Sequence, residues 1–140
     1  MLTCVIMAQP QTHDVHQANL LLPRVRALVA QISELQDQLP ELQDELRIAE
    51  YRMRRAQAGE SDADGFEQAA SSAASAERDL ISALDALGQM GVMLKDARTG
   101  LVDFLSWREG ELIELCWRLG EDQVAHWHRI GEGFSGRRPL

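Results

Sequence analysis

The stretch that decides the fold is "GLVDFLSWREGELIELCWRLGEDQVAHWHRI", Gly100 to Ile130. Apolar and polar residues alternate through it, which is typical of strands that bury one face. The pattern predicts strands at 101–107, 112–118 and 123–130, joined by turns at "REGE" and "LGEDQ". Three such strands form an antiparallel meander, and "GVMLKD" upstream can add a short fourth strand. The tail "GEGFSGRRPL" predicts a Gly-rich loop that ends in two arginines.

The pairing of these strands decides which side chains share a face of the sheet. If Glu109-Gly110 is a two-residue turn, Asp103 lies opposite Cys116, and neighbouring side chains alternate between the two faces. The third strand keeps this arrangement only if its turn has three residues, 120–122, because a turn of two or four residues swaps its faces. The apolar face then holds Val102, Phe104, Ile113, Leu115, Trp117, Ala125 and Trp127. The opposite face holds Asp103, Glu114, Cys116, His126 and His128.

The polar face collects side chains that can bind a metal ion. Imidazole, thiolate and carboxylate groups together suit Zn²⁺ or another divalent transition metal, so one hypothesis is a metal site formed by Cys116, His126, His128 and Asp103. A related hypothesis is a small-ligand site formed by Asp103, Glu114, Cys116 and His128, with Arg137 near its mouth. The alternative is a structural polar face, in which histidines are hydrogen-bonded to carboxylates and Cys116 fills space.

Two further side-chain groups have both a functional and a structural interpretation. Cys116 can act as a nucleophile with His126 as its base, but no complete catalytic signature accompanies the pair, and a non-enzymatic protein is favoured. Arg137 and Arg138 can clamp a phosphate or carboxylate, or they can form salt bridges within their own protein. The sequence contains neither a Walker pattern nor a Gly-rich dinucleotide fingerprint.

Upstream of the sheet, apolar residues recur with alternating spacings of four and three, which predicts two long helices. The first helix begins after Asp14, with Gln17 completing a capping box, and is expected to bend at Pro40 without ending there. Gly59 is expected to end it, and Ser61 or Asp62 to cap the second helix. The first apolar seam comprises Leu21, Val25, Leu28, Ile32, Leu35, Leu39, Leu42, Leu46, Ala49, Met53 and Ala56. The second comprises Phe66, Ala70, Ala73, Glu77, Leu80, Leu84 and Leu87, where Ala76 can replace Glu77 as the inward residue.

These elements predict an α+β fold, with a coiled-coil-like antiparallel helical hairpin followed by a β-meander of three or four strands. The predicted organisation is a flexible extension at 1–13, the hairpin at 14–90, and a sheet with its tail at 91–140, packed with the helices as one domain. The first helix is longer than the second, so part of its apolar stripe needs another cover. A homodimer through the helices is predicted, and a protein partner is a further option. The alternative is a monomer in which the sheet covers the excess.

The charge and cysteine content exclude several classes of protein. The net charge of −8 argues against a nucleic-acid-binding face and against a polybasic membrane patch. Two cysteines are too few for a disulfide framework, and the start "MLTCVIMAQPQT" has neither a basic n-region nor an apolar run long enough to span a membrane. The sequence therefore predicts a cytoplasmic protein.

The segments "GLVDF", "REG", "LCWRLGE", "WH" and "GFSGRRPL", together with the Leu-rich run from Ala18 to Val25, resemble an uncharacterised bacterial family. It is catalogued among the domains of unknown function as number 2203. The similarity spans about residues 13–140. It implies a small cytoplasmic protein with a helical N-terminal region. It implies no established activity, and so no catalytic residues.

Overall fold

The computed structural model describes residues 10–140, which form two helices followed by a five-stranded antiparallel sheet. The helices are α1 (Val15–Met53) and α2 (Glu60–Gln89). The strands are β1 (Val92–Asp96), β2 (Leu101–Arg108), β3 (Glu111–Arg118), β4 (His126–Arg129) and β5 (Arg138–Pro139), and each pairs with the next in sequence. The predicted α+β class is confirmed, with one strand more than expected because the tail pairs with β4.

Helix α1 begins as predicted and ends earlier than predicted. The Asp14 carboxylate accepts the N–H of Gln17 at 2.7 Å, and the Gln17 side chain accepts the N–H of Asp14 at 2.9 Å, which completes the capping box. The helix runs through Pro23 and Pro40 and ends at Met53, so the expected end at Gly59 is wrong.

The N-terminus of α2 also differs from its prediction. Gly59 is the N-cap residue, not Ser61 or Asp62. Asp62 contributes from inside the first turn, where its carboxylate accepts the N–H of Gly59 at 3.1 Å. The prediction that Asp62 acts at the start of α2 is therefore right, but Asp62 is the third residue after the N-cap and not the N-cap itself.

The N-terminal half of α1 buries a wider apolar surface than the predicted seam. Of the seam residues, Val25 and Ile32 are fully buried, whereas Leu21 and Leu28 are partly buried against the core. The buried surface also includes Ala18, Leu22 and Val29, which lie outside the seam. It joins one core cluster with the apolar face of the sheet, which contributes Val92, Val102, Phe104, Ile113, Leu115 and Trp117. The sheet therefore covers the N-terminal part of α1, for which the shorter second helix was not expected to provide a partner.

Helix α2 follows its predicted seam with one departure in its C-terminal half. Ala73 and Leu87 are buried as predicted, Leu80 is partly buried, and Ala76 takes the inward position of Glu77, as the alternative had it. Leu84, predicted inside, is 38% exposed. Ala83 is buried in place of Leu84, and the stripe returns to its predicted position at Leu87.

The sheet has the predicted register. Glu109 and Gly110 both have positive φ, 52° and 79°, as a two-residue type I′ hairpin requires. Asp103 lies opposite Cys116 in β2–β3, and Glu114 lies opposite His128 in β3–β4. This is the register expected for a three-residue turn at 120–122.

Strand β4 begins at His126, so the predicted start at residue 123 is wrong. The preceding backbone forms hydrogen bonds elsewhere: the N–H of Val124 donates to the Asn19 side chain at 2.8 Å, and the carbonyl of Ala125 accepts from Leu140 at 2.9 Å. Of the predicted extension 1–13, residues 1–9, including Cys4, lie outside the described residues. His13 is buried, and its N–H donates to the carbonyl of Leu105 at 2.8 Å.

Candidate functional site

The face of the sheet that points away from the helices has a buried polar centre. Asp103 on β2, Cys116 on β3 and His128 on β4 are each at most 2% exposed. One carboxylate oxygen, the thiol sulfur and one ring nitrogen all lie within 4.8 Å of one another. Three neighbouring antiparallel strands in the observed register bring them together, because residues of the same parity share a face.

Both ring nitrogens of His128 have a hydrogen-bond partner. Its Nδ1 lies 2.9 Å from the carbonyl oxygen of Arg129, which can only accept, so Nδ1 carries a proton. Its Nε2 lies 3.1 Å from Oδ1 of Asp103. Nε2 then either carries a second proton and forms an ion pair with Asp103, or presents a lone pair beside that carboxylate. The second state is that of a metal-binding histidine, whose other ring nitrogen commonly donates to a backbone carbonyl.

The surroundings of Cys116 favour the protonated thiol. Burial and the negative charge of Asp103 raise the pKa of Cys116 to about 12. A nucleophilic cysteine needs the opposite conditions, namely a lowered pKa and access for a substrate. A divalent cation at the site would instead displace the proton and take the thiolate as a ligand.

A second carboxylate and an ammonium adjoin this centre. Burial and the nearby Asp103 raise the pKa of Glu114, while Lys95 acts in the opposite direction. The Nζ atom of Lys95 lies 3.8 Å from Oε2 of Glu114 and 4.0 Å from Oδ2 of Asp103. A cleft of about 280 Å³ opens onto these three side chains and His128, with Phe134 on its rim. A second cleft, of about 330 Å³, reaches the two carboxylates past Met93 and Leu105.

His126 and Arg137 belong to a different cluster on the same face. The Arg137 guanidinium donates to Nδ1 of His126 at 2.6 Å and to Oε2 of Glu121 at 2.6 Å. It also stacks on the Phe134 ring, 4.5 Å from the ring centroid, and its side chain is 8% exposed. Arg137 therefore forms a salt bridge within its own protein, and His126 is hydrogen-bonded to it and not to the Asp103 group.

Sequence reasoning missed two residues that organise this face. Lys95 stands on the short first strand, two residues after Met93, where alternation indicates a shared face but not a distance. Glu121 lies in the predicted turn, yet it accepts from the backbone N–H of Arg118 at 2.7 Å as well as from Arg137. The acidic residue inside a hairpin turn was the available signal for Glu121.

Comparison with known protein families shows which family this chain belongs to. The profile of an uncharacterized conserved protein family, DUF2203, matches residues 11–140, which is nearly the whole sequence. The chain belongs to the DUF2203 family. No curated protein and no solved structure matched this DUF2203 protein. Within residues 10–140, neither helix has the length and apolarity needed to cross a membrane.

Proposed function

We propose that this DUF2203 protein binds a divalent transition-metal ion through Asp103, Cys116 and His128. The observation that carries the proposal is the convergence of an oxygen, a sulfur and a nitrogen donor within 4.8 Å of one another, all buried. This mixed donor set suits Zn²⁺, which accepts carboxylate, thiolate and imidazole ligands in tetrahedral geometry.

The surroundings of the three side chains support an exchangeable site. Three protein ligands leave one position of a tetrahedral centre, which in other zinc proteins holds water or a substrate. Glu114 lies opposite His128 on the same face and can supply a fourth ligand. The carbonyl of Arg129 already orients the His128 ring, so little rearrangement of that side chain is needed on binding.

Elemental analysis of protein purified without a histidine tag, followed by Zn²⁺ titration, tests the proposal. We expect one equivalent of zinc in the wild type, none in His128→Ala, and an undiminished equivalent in the matched control His126→Ala. The two histidines lie on the same strand and face, so a nonspecific effect of losing an imidazole would appear in both variants. A wild type that takes up no metal ion, or equal losses in the two variants, would overturn the proposal.

A second candidate is a helical interaction module that forms a homodimer, with the sheet available to a protein partner. Apolar side chains on the outside of the fold support it: Ile81 is 60% exposed next to Leu84 on α2, and Trp107 is 60% exposed on the sheet. Light scattering at micromolar concentration tests the dimer, since a mass near the 15.7 kDa of one chain would contradict it. Ile81→Glu is expected to shift a dimer to monomers, and Glu77→Gln, on the same helix, is its control.

We also propose a cytoplasmic location and no nucleic-acid partner. The metal site needs Cys116 in its reduced form, which a reducing compartment maintains. The net charge of −8 opposes binding to a phosphate backbone. Immunoblotting of cell fractions tests the location, and a gel-shift titration with duplex DNA and RNA tests the absence of nucleic-acid binding.

A further inference from the structure

The ammonium group of Lys95 lies 4.0 Å from Oδ2 of Asp103 and 3.8 Å from Oε2 of Glu114, beside the carboxylates of the proposed metal site. We infer that Lys95 is a built-in competitor of the metal ion, which neutralises Asp103 and Glu114 in the metal-free protein and thereby sets the affinity of the site. The inference rests on the proposed metal site and adds its regulation.

The two carboxylates need a positive charge when no metal ion is bound. Their side chains are only 3% and 11% exposed, and they are diagonal neighbours on adjacent strands, because Asp103 pairs with Cys116 and Glu114 pairs with Leu105. Like charges that share a buried site repel strongly unless a cation or a proton compensates them. Within residues 10–140, Lys95 is the one cationic side chain in ion-pair contact with Glu114. Its ammonium therefore serves as the resident counter-ion of the pair.

Lys95 is placed so that it can leave. Its side chain is 39% exposed, and it extends from the edge strand β1. The pairing of β1 with β2 is irregular between Leu94 and Asp96, immediately around Lys95. A flexible, half-exposed side chain can turn into solvent when a doubly charged ion binds Asp103. Metal binding then includes the loss of two ion pairs, and this cost weakens the observed affinity.

The test is a competition titration of Zn²⁺ against a chromophoric chelator at one fixed pH, 8, because zinc binding releases protons from its ligands and the observed affinity depends on pH. We compare the wild type with Lys95→Met and with the matched control Arg98→Met, both of which remove one positive charge. Arg98 lies in the turn between β1 and β2 and forms no ion pair with any described residue. We expect the Kd for zinc to fall about tenfold in Lys95→Met and to stay within about twofold of wild type in Arg98→Met.

A thermal-unfolding series gives a second readout. Without metal, Lys95→Met is expected to melt below the wild type, because the carboxylates lose their counter-ion. With saturating Zn²⁺ the gap should close or reverse, since the metal then supplies the charge. A Tm deficit that is the same with and without zinc would mean that Lys95 only stabilises the fold, and would overturn the inference.

The outcomes separate this inference from the metal site itself. If the wild type binds zinc and Lys95→Met binds it no more tightly than Arg98→Met does, the competitor role is wrong and the metal site stands. If none of the three proteins binds zinc, the proposed function and the inference about Lys95 are both wrong.

Discussion

The ion pair between Glu121 and Arg137 is expected to supply much of the stability of the C-terminal half, and Glu121→Gln tests this. One carboxylate oxygen of Glu121 accepts from Arg137 at 2.6 Å and the other accepts from the N–H of Arg118 at 2.7 Å. The contact ties the tail to the loop between β3 and β4. Glutamine keeps the size and one acceptor but removes the charge, so the variant isolates the electrostatic contribution.

The magnitude follows from burial. A hydrogen bond to a charged group contributes about 1.5–3 kcal/mol, and Arg137, 8% exposed, would keep a charge without its counter-ion. We therefore expect Glu121→Gln to lower the free energy of unfolding by about 2–3 kcal/mol. In a domain of this size, that corresponds to a decrease in Tm of roughly 6–10 °C.

The effect has a defined pH dependence. Burial opposes ionisation of Glu121, but the hydrogen bonds from Arg137 and Arg118 outweigh it and hold its pKa below the ordinary value of 4.5. A lowered folded-state pKa means that the stabilisation is complete above the unfolded pKa and is lost as the pH falls through the folded value. The difference between wild type and variant should be constant near neutral pH and shrink at acid pH.

Urea denaturation followed by circular dichroism at neutral and acid pH measures both effects. The matched control is Glu132→Gln, because Glu132 pairs with Arg138 at 3.4 Å where both side chains are about one-third exposed or more. Such a pair is expected to contribute less than about 1 kcal/mol. The reasoning is refuted if Glu121→Gln unfolds at the same urea concentration as its control, or if its deficit is unchanged in acid.

Three smaller predictions follow from single contacts. Gly100→Ala should destabilise the fold by about 2 kcal/mol or more, measured by thermal melting, because φ is +70° and the new methyl group would lie 2.6 Å from Cβ of Leu119. Asn19→Ala should cost about 1–3 kcal/mol in urea denaturation, because the Val124 backbone loses both hydrogen bonds to the amide; unchanged stability would contradict that role. Cys116, with its raised pKa near 12, should react with a thiol reagent at pH 8 only after urea is added, and rapid reaction of the native protein would show that the site is open.

The sheet was predictable to the level of register because local rules determined it. Glu109-Gly110 permits the positive φ angles of a two-residue hairpin, and alternation then fixes which residue faces which. The register between β3 and β4 was predictable from the hydrophobic pattern alone. The loop that joins them is held by hydrogen bonds from Asn19 on α1, which the pattern does not show. The short strand β5 was not predictable, because two residues carry no period. The burial of Ala83 in place of Leu84 in α2 was not predictable either, since spacings of three and of four residues both fit one face of a helix.

The sequence predicted which residues share the polar face, but not how these residues divide into two separate clusters. Alternation placed Asp103, Cys116, His126 and His128 on one face. It could not separate the two histidines, which have the same parity. The two histidines differ because Arg137, from the C-terminal tail, is hydrogen-bonded to His126. A contact of this kind does not appear as a periodic pattern in the sequence. Side-chain direction within one face depends on such nonlocal partners, and a single sequence does not encode them in a readable pattern.

The outer face is built differently from the solvated face of an ordinary antiparallel sheet. Water usually covers the polar side chains of such a face, whereas here the carboxylates of Asp103 and Glu114, the thiol of Cys116 and the ring of His128 are all buried. Apolar residues would fill the same volume at less cost, because buried charges are unfavourable unless each has a partner. The partners observed are His128 for one carboxylate and Lys95 for the other. Lys95 offsets part of the negative charge of the two carboxylates, and the His128 ring lies 3.1 Å from Oδ1 of Asp103. One arrangement of strands thus gives both carboxylates a partner and keeps three donor atoms within 4.8 Å of one another, which is the combination that the proposed reversible metal site requires.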